Sequence, residues 1–225
     1  GSLEWAINIA DQAIKSGAKV IKHQTHIVDD EYSFHAKKIK PGNSNKNIFD
    51  IIKNCSLNEE EEFKLMNYIK KKKKIFISTP FSLKAVDRLI KFKVPAFKVG
   101  SGECNNHILI DYIAKQNKPI ILSTGMNNMS SVDQSVKIIN KYHNKLALLH
   151  CTNVYPSSFN SLRLNSILEL KNKYKMNIVG YSDHSIGIYP SIVAMSLGAL
   201  IVEKHFIDNR KFKGPDIICS MDPSE

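Results

Sequence analysis

Residues 178–206 read IVGYSDHSIGIYPSIVAMSLGALIVEKHF, and this stretch predicts a strand, a helix and a second strand. The apolar runs at 178–182 and 200–206 have the length of strands, and residues 189–197 between them repeat apolar side chains at helical spacing. Strands that alternate with helices run parallel and are joined by right-handed crossovers. The stretch therefore favours an α/β fold.

The same alternation extends along the whole chain. Predicted helices cover residues 3–14, 58–72, 83–92, 108–115, 131–141, 164–174 and 189–197. Predicted strands cover residues 18–25, 75–79, 96–99, 119–124, 146–152, 178–182 and 200–206. This pattern has seven strands and seven helices in strict alternation, and after residue 206 it dissolves into a polar tail marked by glycine and proline.

Two α/β architectures compete for this pattern. A doubly wound sheet gathers its ligand groups at one switch point of the topology. Here polar side chains end nearly every predicted strand, and such a ring at the carboxyl mouth favours a (β/α)8 TIM barrel. A barrel needs eight strands, and the chain opens on a helix. We therefore expect residues 1–225 to form one incomplete TIM-barrel domain whose first strand is missing.

Composition excludes several protein classes. Hydrophobic residues make up 43% and charged residues 24% of the 225 residues, as in ordinary globular proteins. The apolar runs are far shorter than the ~18 residues of a membrane span, so no membrane association is expected. The four cysteines form no CxxC pair, which leaves out zinc knuckles and dithiol redox motifs. A reducing, cytoplasmic location is expected.

The net charge of +11 comes from 32 basic and 21 acidic residues, but only three of the basic residues are arginine. Proteins that bind nucleic acids favour the planar guanidinium group of arginine, so an excess of lysine indicates DNA or RNA binding only weakly. No nucleic-acid partner is therefore expected. A non-catalytic basic module that binds anionic polymers stays open as an alternative. Its binding would weaken steeply with salt, whereas metal binding by histidines would not.

Two histidines are candidate metal ligands. Side chains alternate along a strand, so Ser182 and His184 share one face, and Glu203 and His205 share another. Imidazoles from neighbouring strands make half of a shell for a divalent metal and leave positions for water and a substrate oxygen. A histidine at a strand end is more often a hydrogen-bonded structural residue, so the pattern alone leaves both interpretations open.

Two lysines interrupt apolar strands. Burial of an unpaired ammonium costs several kcal/mol, so Lys22 and Lys98 each need a carboxylate or an anionic ligand, and two of them suggest a phosphate. Nearby hydroxyls and glycines would complete an anion cradle: Thr79, Ser101, Ser123, Ser182, Gly100, Gly102 and Gly125. The alternatives are lysines that extend to the rim, or a pairing with Glu103.

Nine motifs in order then carry a resemblance to a known family. They are KHQTH (22–26), PGN (41–43), ISTPF (77–81), FKVGSGECNN (97–106), LSTGM (122–126), HCTNVYP (150–156), GYSDH (180–184), EKHF (203–206) and GPDIICSMDP (214–223). Together they resemble the bacterial N-acetylneuraminate (sialic acid) synthase family. A single motif would be weak evidence, but nine in order cover almost the whole chain.

The resemblance implies a condensation of phosphoenolpyruvate with N-acetylmannosamine that yields N-acetylneuraminate and phosphate. It implies a divalent cofactor, Mn²⁺ or Mg²⁺, with His184 and His205 as ligands. It also implies a homodimer for the full-length protein. Relative to the family, the chain lacks an initial strand with a sugar-binding glutamate and a carboxyl-terminal antifreeze-like domain. We therefore expect a fragment truncated at both ends, whose activity in isolation stays open.

The resemblance also assigns roles to individual residues. The phosphoenolpyruvate-binding positions are Lys22, Thr79, Lys98, Ser101, Ser123, Asn153 and Ser182. The sugar-binding positions are Asn43, Tyr155 and Asp216. Glu103 lies near the metal and the reacting carbons, so the catalytic candidates are Glu103, Lys98 and Lys22. A synthase of legionaminic or pseudaminic acid is the closest alternative, and PGN (41–43) and CSMDP (219–223) favour the user of N-acetylmannosamine.

Overall fold

The computed structural model describes residues 1–40, 46–175, 178–212, 214 and 216–225. All seven predicted strands are confirmed within these residues. They are β1 (Val20–Thr25), β2 (Ile75–Pro80), β3 (Phe97–Val99), β4 (Ile120–Ser123), β5 (Leu146–Cys151), β6 (Val179–Asp183) and β7 (Ile201–Lys204). The strands differ from the predicted ranges only at their ends, where hydrogen bonding rather than hydrophobicity sets the boundary.

The described residues contain nine α-helices. They are α1 (Leu3–Lys15), α2 (Val28–Glu31), α3 (Ile48–Cys55), α4 (Glu59–Lys71), α5 (Leu83–Lys91), α6 (His107–Ala114), α7 (Met129–Asn140), α8 (Ser166–Tyr174) and α9 (Tyr189–Ser196). Seven of them match the predicted helices. In the described part of the chain, none is long and apolar enough to cross a membrane.

The prediction of strict alternation is wrong between β1 and β2, where α2 and α3 precede α4. Helix α2 is about one turn long, which is too short to show an apolar period. Helix α3 buries only Phe49, and its start is set by a cap, because the Asn47 side chain accepts a hydrogen bond from the Asp50 backbone N–H at 2.8 Å. Neither helix therefore leaves the long apolar stripe by which helices are recognised in a sequence.

The backbone divides into two compact units, Gly1–Phe97 and Lys98–Glu225. In the first, β1 pairs with β2 in parallel from Val20↔Ile75 to Thr25↔Pro80, and β2 pairs with Phe97 of β3. In the second, β4, β5, β6 and β7 pair in parallel in chain order. Parallel pairing of consecutive strands confirms the α/β class, while the incomplete TIM barrel and the single domain remain predictions.

A buried polar cluster lies inside the first unit. The Glu62 side chain of α4 accepts hydrogen bonds from Arg88 Nη1 at 3.1 Å and from the hydroxyl of Thr25, and the Thr25 and Ser78 hydroxyls are 2.7 Å apart. Burial raises the pKa of Glu62, and the two hydrogen bonds only partly oppose this effect. Burial also lowers the pKa of nearby His23 to about 4, so this histidine is neutral at pH 7. The cluster links β1, β2, α4 and α5.

The carboxyl-terminal segment folds back onto the end of β7. Phe206 and Met221 form a parallel bridge, the Met221 N–H donates to the His205 carbonyl at 2.8 Å, and the Ile207 N–H donates to the Met221 carbonyl at 2.9 Å. A 3-10 turn at Ile217–Cys219 precedes this return. Among the described residues, the alternation of strands and helices therefore ends after β7, as predicted, and backbone hydrogen bonds rather than apolar periodicity hold the segment that follows.

Candidate active site

Two histidines lie together at the carboxyl ends of β6 and β7. The strands pair in the register Ser182↔Glu203, and His184 and His205 follow these partners by two residues. Their ring centroids are 5.4 Å apart, and His184 is only 5% exposed. We call His184 and His205 the imidazole pair. The alternation of side chains along paired strands therefore brings the two rings to one place, as the sequence predicts.

Hydrogen bonds set the orientation and tautomer of His184. Its Nδ1 lies 3.0 Å from the Thr152 carbonyl oxygen, which can only accept, so Nδ1 carries the proton. With this proton on Nδ1, the neutral form of the ring has its lone pair on Nε2. The Tyr155 hydroxyl lies 3.0 Å from this Nε2, and the two rings stack with centroids 4.0 Å apart.

The returning carboxyl-terminal segment lies against His205. The Asp216 carboxylate is 3.8 Å from His205 Nδ1, and the Tyr155 ring contacts the His205 ring edge-on at 5.8 Å. Two residues predicted to hold the sugar, Tyr155 and Asp216, are thus both beside the imidazole pair. Their roles in sugar binding remain predictions.

The donor set of the imidazole pair fits a divalent metal with open positions. A ring that donates Nδ1–H to a backbone carbonyl and presents Nε2 has the arrangement of metal-ligating histidines. Within the described residues, no three histidine, cysteine, aspartate or glutamate side chains are arranged to hold a metal ion.

A buried lysine lies in the same unit. Lys98 is 1% exposed, and its Nζ donates to the Ser123 hydroxyl at 2.8 Å and to the Val99 carbonyl at 2.9 Å. Glu203 Oε1 is 3.9 Å from this Nζ and accepts a hydrogen bond from the Ser182 hydroxyl at 2.9 Å. We call Lys98, Ser123, Ser182 and Glu203 the lysine cluster.

The carboxylate beside Lys98 is Glu203, which the sequence reasoning did not select. The alternative partner, Glu103, instead accepts a hydrogen bond from Asn106 Nδ2 at 2.6 Å. A sequence signal for Glu203 did exist, because it precedes His205 by two residues and shares its strand face. Glu203 could be singled out as a site residue only from the strand register, which sets it opposite Ser182.

The loop after β4 approaches Ser101 closely. The Gly125 N–H donates to the Ser101 hydroxyl at 3.1 Å, and a Cβ on Gly125 would lie 2.8 Å from that hydroxyl and 2.9 Å from the Cys151 carbonyl. The close backbone approach predicted at Gly125 is therefore present. Asn153, from the loop after β5, directs Nδ2 to Met126 Sδ at 3.0 Å.

Two further predicted site residues belong to the first unit. The registers Lys22↔Ile77 and Gln24↔Thr79 set Lys22 and Thr79 on one face of the paired strands. Thr79 is 2% exposed, and its hydroxyl lacks a hydrogen-bond partner among the described residues. This hydroxyl could donate a hydrogen bond to an acceptor atom of a ligand. Lys22 is only half-buried, unlike the buried ammonium that was predicted. Asn43 lies outside the described residues.

Comparisons with known proteins identify the family of this chain. Residues 9–225 match the NeuB family. The chain belongs to the NeuB family. It is 38% identical to an uncharacterized protein of Methanocaldococcus jannaschii and 36% identical to the N,N'-diacetyllegionaminic acid synthase of Campylobacter jejuni. Each alignment covers 100% of this chain but 64% and 69% of the relatives, so the chain spans about two thirds of their length.

A solved structure is also similar to this NeuB chain. The N-acetylneuraminic acid (sialic acid) synthetase of Leptospira borgpetersenii, in complex with citrate, superposes with a TM-score of 0.90 at 30% identity. The superposition covers 99% of this chain and 74% of that chain. The resemblance inferred from the nine motifs is therefore confirmed at the level of the family.

Cys151, beside the imidazole pair, was not predicted as a site residue because its thiol belongs to no cysteine motif. Cys151 Sγ is buried at the end of β5 and lies 3.6 Å from His184 Nδ1. Burial raises the pKa of Cys151, and it also raises the pKa of Tyr155. Both groups therefore keep their protons at neutral pH and contribute no negative charge beside the imidazole pair.

A buried ion pair between Asp183 and Lys204 stabilises the backbone next to His184. Asp183 accepts hydrogen bonds from the Ser185 N–H at 2.8 Å and from the Ser185 and Ser191 hydroxyls at 2.6 Å, and Lys204 Nζ is 3.1 Å away. Burial alone would raise the pKa of Asp183, but these hydrogen bonds and the Lys204 charge outweigh it and lower the pKa. Asp183 thus joins β6, β7 and the start of α9.

We expect Asp183→Asn to lower the free energy of unfolding by about 3–5 kcal/mol, because it leaves the Lys204 ammonium buried without its charge partner. Asp133→Asn is the matched control, since its partner Lys173 is half-exposed and such pairs contribute about 0–1 kcal/mol. Urea unfolding followed by circular dichroism measures both. A cost for Asp183→Asn no larger than that of the control would contradict a supporting role for this ion pair.

Proposed function

We propose that this chain is the condensing part of a nonulosonic acid synthase, which joins phosphoenolpyruvate to an open-chain amino sugar. The observation that supports the proposal most directly is the presence in one compact unit of the imidazole pair and the lysine cluster. A buried ammonium suits the anionic groups of phosphoenolpyruvate, and two imidazoles with open positions suit a divalent metal. Membership of the NeuB family supports the same reaction class.

Two amino-sugar acceptors are equally supported for this reaction. The motif resemblance favours N-acetylmannosamine and hence N-acetylneuraminate as the product. The similarity to a synthase of N,N'-diacetyllegionaminic acid supports the alternative, a related nonulosonic acid. The assay described below compares the two acceptors directly.

In the proposed site, the chain's own residues bind and orient the two substrates. Lys98 and the Ser123 hydroxyl would hold the phosphate or carboxylate of phosphoenolpyruvate, and Glu203 would orient the lysine. Tyr155 and Asp216 would hold the acceptor beside the imidazole pair. A divalent metal, Mn²⁺ or Mg²⁺, bound by His184 and His205 would supply Lewis-acid polarisation of the acceptor aldehyde.

The proposed reaction balances without a further co-reactant. The methylene carbon of phosphoenolpyruvate forms a bond to the aldehyde carbon, and the aldehyde oxygen takes a proton. Water adds its hydroxyl to the adjacent carbon of phosphoenolpyruvate and supplies the proton that the aldehyde oxygen takes. The new hydroxyl then loses its proton and becomes the keto group as the bond from that carbon to the phosphate oxygen breaks, and phosphate leaves with the electron pair and that proton. Negative charge develops on oxygen at each stage, and prepositioned groups such as Lys98 stabilise it without reorganisation.

We expect phosphate release by the full-length protein that carries this chain to require phosphoenolpyruvate, an amino-sugar acceptor and Mn²⁺ together. Phosphate is measured with each component left out in turn and with excess chelator, using N-acetylmannosamine and the legionaminic acceptor in parallel. The acceptor with the larger kcat/KM for phosphate release identifies the class of product. Phosphate release that persists in the chelator, or without any acceptor, would contradict the proposal.

A further inference from the structure

The Tyr155 hydroxyl forms a hydrogen bond with the nitrogen through which His184 would bind a metal. His184 Nδ1 carries its proton toward the Thr152 carbonyl, so Nε2 is the ring's one lone-pair nitrogen. The Tyr155 hydroxyl is 3.0 Å from that nitrogen and must donate to it, because a neutral ring with its proton on Nδ1 has no hydrogen on Nε2. A lone pair accepts either this hydrogen bond or a metal ion, and it cannot serve both.

The tyrosine is also placed so that it can leave. The residue is 42% exposed, and its ring lies against the imidazole pair by stacking on His184 and by an edge contact with His205. The His184 ring, by contrast, is buried and tied to Thr152, so the tyrosine is the member of the contact that yields.

We propose that Tyr155 gates the imidazole pair: its hydroxyl competes with a divalent metal for His184 Nε2, and an acceptor sugar that takes up this hydroxyl releases the lone pair to the metal. The inference rests on the proposed function, because it takes the metal and the sugar from there. It adds that the two bind cooperatively. By linkage, the factor by which the sugar tightens metal binding equals the factor by which the metal tightens sugar binding.

The test measures Mn²⁺ binding to the chelator-stripped chain by the electron paramagnetic resonance signal of free Mn²⁺. Tyr155→Phe keeps the stacked ring and removes the hydroxyl, so we expect Mn²⁺ affinity to rise about 3- to 10-fold, the worth of one hydrogen bond. Tyr174→Phe is the matched control, since its hydroxyl bonds to Asp133 instead, and it should leave Mn²⁺ affinity unchanged. Thermal unfolding checks that both variants are folded.

A second arm adds saturating N-acetylmannosamine. We expect the sugar to tighten Mn²⁺ binding to the wild type by a similar factor and to have no such effect on Tyr155→Phe, whose lone pair is already available. Equal Mn²⁺ affinity in the wild type and Tyr155→Phe, or equal tightening by the sugar in both, would overturn the gate and leave the proposed function standing. A wild type that binds no Mn²⁺ would instead count against the metal of the proposed function.

Discussion

His205→Ala is expected to lower Mn²⁺ affinity by more than about 100-fold, because removal of a ligand costs more than the 10- to 100-fold that loss of a supporting contact costs. One imidazole is then left to hold the ion. Phosphate release should fall on the order of 10³-fold, because Lewis-acid polarisation contributes several kcal/mol to the reaction. The His205 side chain is 29% exposed, so its truncation should leave the fold intact.

His35→Ala is the control for this variant. His35 is an exposed histidine of the first unit and belongs to no predicted site. Both variants are stripped with a chelator, titrated with Mn²⁺ and checked by circular dichroism. Metal content of His205→Ala equal to that of His35→Ala and the wild type would refute the assignment of His205 as a ligand, whatever happened to phosphate release.

The placement of the imidazole pair could be predicted because two simple rules are sufficient for it. Side chains alternate along a strand, and consecutive strands joined by a helix pair in parallel, so polar residues at the ends of β6 and β7 meet at one edge. The apolar runs before His184 and His205 are clear in the sequence. Prediction therefore succeeded where local pattern and strand order determine the geometry.

The partner of Lys98 could not be predicted in the same way. Any carboxylate near a strand end satisfies the requirement that a buried ammonium be paired, and Glu103 is much closer in sequence than Glu203. The choice depends on the register of β6 against β7 and on the depth of each side chain, which periodicity does not encode. The return of the chain from Phe206 to Met221 was missed for a related reason, since backbone hydrogen bonds between irregular segments leave no apolar pattern.

Lys98→Met is expected to weaken phosphoenolpyruvate binding on the order of 10²- to 10³-fold, because truncating one partner of a buried charged contact costs about 2–5 kcal/mol. Methionine keeps most of the length and apolar stem of the lysine, so the loss is chiefly that of the charge. Isothermal titration with phosphoenolpyruvate measures the effect. Lys173→Met, at a half-exposed ion pair with Asp133, is the matched control and should bind phosphoenolpyruvate like the wild type.

Lys98→Met also removes the charge beside Glu203, so weaker binding could follow from a disturbed site instead of a lost ligand. The double variant Lys98→Met with Glu203→Gln separates these causes, because the second change removes the carboxylate that the first leaves without its ammonium. We expect the double variant to recover much of the unfolding free energy, since the two residues contact each other and their effects are not additive. Affinity for phosphoenolpyruvate should stay low, because no ammonium is restored. Recovery of that affinity in the double variant would mean that Lys98 serves only to neutralise Glu203, and the lysine cluster would then have no role in binding the anionic substrate.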